Sequence, residues 1–105
     1  MPTFLVTFRH SPENCPGHNE KVKATLMKMV EKFEEMSNKH GVKMVAGCLV
    51  DSEHFVTEIY EAPSLEAFQA FWMEPEMAAM GAYFTREIKI GVDVKESMKK
   101  LKEGK

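Results

Sequence analysis

The stretch VKMVAGCLV-DSE-HFVTEIYE, residues 42–61, is two apolar, β-branched runs joined by three polar residues. Residues 42–50 and 54–61 each have the length and composition of a strand, and the connector is short enough to make them an antiparallel hairpin. Upstream lies an amphipathic helix from Asn19 to about Lys39. Its apolar residues Val22, Leu26, Met29, Val30, Phe33 and Met36 recur at helical spacing, with Asn19 as N-cap and Gly41 as C-cap. Before it, TFLVTFR (residues 3–9) reads as another strand, and loop 10–18 carries Pro12, Pro16 and Gly17, too many breakers for regular structure.

Downstream, Ser64 caps a second helix that turns Leu65, Phe68, Phe71 and Trp72 inward. Pro75 cannot continue it without strain, so a break near Glu74 is expected, followed by a short segment that stops at Gly81. Residues 83–92 (YFTREIKIGV) form a fourth strand, and Asp93 caps a short terminal helix over 94–103. The order is β-α-β-β-α-β plus a C-terminal helix, an α+β fold of the ferredoxin-like type. Right-handed crossovers place the four strands as an antiparallel sheet in the order 4-1-3-2, with both main helices on one face. Strands 1 and 3 are apolar on both faces, and two helices cover only one. Residues 1–105 form one domain on this reading, near the usual size for a single core.

Element order and length over residues 1–93 resemble the dimeric α+β barrel superfamily, in which two such sheets pack face to face as a homodimer. The phrase EAPSLEAFQAFWMEPEM (residues 61–77) is similar to small uncharacterised prokaryotic members of that superfamily. The resemblance implies the homodimer and a small molecule as partner. It carries no catalytic residue over, because such folds host many chemistries.

Charge narrows the partners. A net charge of −2 with acids and bases interleaved lacks the basic patch that phosphate neutralisation needs, so nucleic acid is not expected. No apolar stretch approaches the ~20 residues of a membrane span, and the short apolar run at the N-terminus lacks the features of a signal sequence. The chain is read as cytoplasmic, with its two cysteines as free thiols. Glycine-rich phosphate loops, dinucleotide fingerprints and the Gly-x-Ser-x-Gly elbow are missing from the sequence. The nine methionines read as adaptable core filler or as a malleable apolar ligand surface.

Chemistry concentrates in two loops, HSPENCPGH (residues 10–18) and DSEH (residues 51–54). In this topology strand 1 ends and strand 3 begins at one rim, which brings His10 and His54 together with Cys15 and His18 in the loop leaving strand 1. His10, Cys15, His18 and His54 are therefore candidate ligands for zinc or another first-row transition metal, through borderline-soft nitrogen and sulfur donors. The alternative is a turn whose polar groups serve the backbone. A metal-free reading makes His54, His10 and Glu58 an acid–base set, with Glu58 alternating along strand 3; the competing expectation pairs Glu58 with Arg86 or Lys89. A third reading is a binding module. Phe8, Phe71, Trp72, Met77, Met80 and Tyr83 would then wall an apolar pocket near the helix break, with Phe8, Trp72 and Tyr83 touching the ligand. A purely structural or regulatory dimer is the remaining class.

Overall fold

A computed structural model describes residues 2–104, with the backbone alone for residue 51. Its elements are β1 (Thr3–Arg9), α1 (Glu20–His40), β2 (Lys43–Val50), β3 (Phe55–Glu61), α2 (Leu65–Trp72), α3 (Pro75–Ala78), β4 (Thr85–Gly91) and α4 (Val94–Lys102). The four strands form one antiparallel sheet in the order β2-β3-β1-β4, the order expected from the sequence. No helix among the described residues is long and apolar enough to cross a membrane.

The helix limits follow from local chemistry. The Asn19 Oδ1 atom accepts hydrogen bonds from the Lys21 and Val22 N–H groups at 3.0 and 3.1 Å, satisfying two donors that the first turn leaves open. At the other end Gly41 takes the left-handed conformation, φ 67°, and the Val42 N–H closes back on the Ser37 carbonyl at 2.9 Å. Ser64 caps α2 through the Ala67 N–H, and Pro75 opens α3, as the break near Glu74 requires. His40, which reads in the sequence as an isolated surface residue, is half-buried: its Nε2 lies 2.6 Å from Glu74 Oε2 and ties the end of α1 to the α2–α3 junction.

Register decides what each strand face meets. Phe4, Val6 and Phe8 of β1 stand beside Tyr60, Glu58 and Val56 of β3 and beside Ile90, Ile88 and Arg86 of β4. This face lies under the helices, and its core is aromatic. Phe4 stacks on Phe68 with ring centroids 4.3 Å apart, and Tyr60, Phe71 and Trp72 close around the pair. The opposite face carries Leu5, Thr7, Phe55, Thr57, Ile59, Ala46 and Cys48, and Leu5, Ala46, Cys48 and Ile59 on it are exposed. Cys48 is thus exposed on the open face and does not approach the histidine rim.

Two boundaries differ from expectation. The hairpin connector is a 3-10 turn, Asp51–Glu53, closed by His54 in a left-handed conformation (φ 55°), so β3 begins at Phe55 and His54 belongs to the turn. The segment after α3 winds on as a 3-10 turn, Ala79–Ala82, past Gly81, and β4 begins two residues later than expected. The Tyr83 and Phe84 N–H groups both reach back to the Met80 carbonyl, which fixes this extra turn.

Candidate functional site

Helix α1 leans on α2 and α3, and a cavity of about 950 Å³ remains between it and the sheet. Its floor is the helix-side face of the sheet, with Phe8, Val56, Glu58 and Tyr60, and Met44 and Leu49 toward the edge. Its roof is Leu26, Met29, Val30 and Phe33 of α1, and Trp72, Met77 and Met80 close one side. Volume and lining are those of a small-molecule pocket, apolar walls with a few polar groups converging on them.

At one end of the cavity stand His10 and Cys15. β1 stops at Arg9, and the His10 N–H donates to the His54 carbonyl at 3.2 Å, stapling the strand end to the hairpin turn. The left-handed backbone at His54 then carries its ring to His10, with His54 Nδ1 3.3 Å from His10 Nε2. His10 is also stacked on Phe84 at 4.8 Å. Cys15, buried, completes a group of three whose donor atoms all lie within 4.8 Å of one another. His18 stands outside this group. The turn 15–18 closes through its N–H to the Cys15 carbonyl at 2.9 Å, and the residue is exposed.

Glu58 lines the cavity floor and accepts a 2.7 Å hydrogen bond from the Tyr60 hydroxyl. The pairings weighed for it from sequence do not form. Arg86 lies over the Trp72 ring at 4.8 Å, and Lys89 reaches Glu87 at 3.2 Å. Burial raises the Glu58 carboxyl above its ordinary value, and the Tyr60 hydrogen bond only partly offsets this. Burial, with the neighbouring Glu58 carboxylate, likewise raises the Tyr60 phenol.

The stability consequence has a definite sign. A carboxyl whose folded value exceeds its unfolded value holds its proton better when folded, so stability falls as pH rises through the window between the two and is flat above it. Glu58→Gln keeps an acceptor for Tyr60 and removes the ionisation. The variant is expected to melt above the parent at pH 7–8, with the gap closing toward pH 4. Melting curves across that range at fixed protein concentration check this, and a gap independent of pH contradicts it.

Of the proposed aromatic contacts, Phe8 and Trp72 line the cavity and Tyr83 does not. The extra 3-10 turn puts Phe84 in its place. Phe71 is fully buried beneath the wall and takes no part in it. Trp72 Nε1 is buried and meets no acceptor among the described residues. The sequence reading missed Phe84 and the α1 face as lining; the helical recurrence of Leu26, Met29, Val30 and Phe33 was the available signal, and it reads equally well as core.

No protein-family model matches the chain, and no curated protein matches it. Solved structures do. A crystal structure of an antibiotic biosynthesis monooxygenase aligns at TM-score 0.61 and 14% identity, covering 90% of this chain and 99% of that one. SnoaB, a cofactor-independent oxygenase from Streptomyces nogalater, aligns at TM-score 0.52 and 14% identity, covering 88% and 91%. A dimeric ferredoxin-like protein from an uncultured marine organism aligns at 0.53 and 13%, covering 90% and 95%. At such identities the likeness is one of fold, and the chain has a ferredoxin-like α+β fold.

Proposed function

We propose that this is a cytoplasmic, homodimeric, small-molecule enzyme whose substrate lies in the helix-side cavity. Its apolar body rests against Phe8 and Trp72, and its reacting end meets His10 and Cys15, with His54 beside His10. Glu58, partly buried and held by Tyr60, exchanges a proton with the substrate, the role for which a raised carboxyl is suited. The observation that carries this reading is the cavity itself. Apolar walls, the His10 imidazole, the Cys15 thiol and the Glu58 carboxyl converge on one space of about 950 Å³. Two structural neighbours are named as oxygenases, and the aromatic and thioether walls here would suit a flat apolar substrate for chemistry of that kind. The homodimer would form through the open sheet face.

Trp72 is the only tryptophan, so its emission reports on the cavity alone. A naphthol or anilinonaphthalene probe is expected to quench it saturably. Gly81→Leu places a side chain at a cavity-lining position with open space around it, and should abolish saturation without lowering the melting temperature. Unsaturable quenching in the parent, or equal binding in the variant, would overturn the reading. The second reading, a binding module without chemistry, is separated by His10→Ala. A module keeps probe affinity within a few-fold, and no turnover accompanies it in either protein.

A further inference from the structure

We infer that His10, Cys15 and His54 hold one transition-metal ion per protomer, through two imidazole nitrogens and a thiolate, with a fourth position open to the cavity. The inference rests on the reading of this cluster as the reacting end of the site, and it names what occupies it.

Geometry is the first support. Two nitrogens on one tetrahedral ion, each at ~2.0–2.1 Å, stand about 3.3–3.4 Å apart. His54 Nδ1 and His10 Nε2 are already at 3.3 Å. A thiolate at ~2.3 Å from the same ion lies about 3.6 Å from each nitrogen. The Cys15 sulfur, within 4.8 Å of a nitrogen of each ring, needs to close by about 1.2 Å at most, on a loop with Gly17 beside it.

Preorganisation is the second. The 3.3 Å contact alone would suit a hydrogen bond between two neutral rings. That bond does not account for the stacking of His10 on Phe84 or the burial of a thiol beside both rings. Donor side chains fixed by packing where three of them converge are the pattern of a site held ready.

Donor chemistry sets the class of ion. Two imidazoles and a thiolate suit Zn²⁺, Co²⁺ or copper, and disfavour the oxygen-seeking Mg²⁺ and Ca²⁺. Binding releases the Cys15 proton. Three protein donors leave one position for water or a ligand atom, the arrangement of sites that act on a bound molecule.

The test uses the full chain without a histidine tag, stripped of metal and kept reduced. Titration with Co²⁺ is expected to reach one equivalent per protomer. It should show thiolate-to-metal charge-transfer absorption and the intense visible bands of a four-coordinate ion. Cys15→Ser should remove the charge-transfer band, and His54→Ala should weaken binding more than about tenfold. His18→Ala should change neither. Weak, six-coordinate cobalt spectra in the folded parent overturn the proposal, as does a loss in His18→Ala equal to that in His54→Ala. Naphthol quenching of Trp72 separates this outcome from failure of the cavity reading. Quenching retained without stoichiometric cobalt removes the metal and leaves the ligand site standing.

Discussion

Phe68→Ala is expected to cost the fold about 3–5 kcal/mol, the range for removing a sealed aromatic side chain. Phe68 has no exposed surface, stacks on Phe4, and lies 5.3 and 5.8 Å from the Tyr60 and Trp72 rings. It is not part of the cavity lining. The void left by its truncation is therefore an enclosed apolar one that water does not fill. With a total stability of ~5–15 kcal/mol for a domain of this kind, such a loss brings the protein to the edge of unfolding. Urea denaturation should show the midpoint falling with little change in slope. Leu26→Ala, which enlarges an existing open space, should cost clearly less. A loss below about 1 kcal/mol at Phe68 would mean that the aromatic cluster is not the centre of the core.

The second large effect belongs to the open sheet face. Leu5 and Ile59 are neighbours in register on that face, and both are more than a third exposed. If two such faces meet as a homodimer, the interface is isologous and every substitution enters it twice. Ile59→Lys would bury two ammonium groups without partners, each costing several kcal/mol. The parent is expected to sediment near 24 kDa, twice the 12.0 kDa chain, and the variant near 12.0 kDa at the same micromolar concentration. Trp72 emission should be unchanged, because the helix side of the sheet is untouched. A parent that already runs as a monomer removes the dimer from the functional reading.

Punctuation made the fold legible. Three polar residues between two apolar runs fixed the hairpin, Asn19 and Gly41 marked both ends of α1, and Pro75 marked the break after α2. Faces were harder to assign, because Phe4 and Leu5 are equally apolar and alternation alone cannot say which one meets a helix. Only the pairing of Phe4 with Tyr60 beneath Phe68 does so. The site was legible in its parts and not in its unity. Histidine rim and apolar pocket read as rival sites because Cys15 and Trp72 lie far apart in the chain, yet they border one cavity. His18 and Tyr83 were misplaced for a common reason. In non-repeating turns no period links sequence position to direction, so one extra turned residue sends a side chain outward and its neighbour inward.

Five of the nine methionines, Met29, Met44, Met73, Met77 and Met80, border that cavity. Unbranched thioethers let the wall adapt to ligands of different shape, but they also make it oxidisable. Each sulfoxide turns an apolar contact into a polar one. Met73, 74% exposed, would react well before Met77, 2% exposed, so peroxide would erode the cavity gradually, starting from its exposed margin. A protein that handled oxygen in this space would be exposing its own walls to damage with each turnover, and its working life would depend on methionine sulfoxide repair as much as on folding stability.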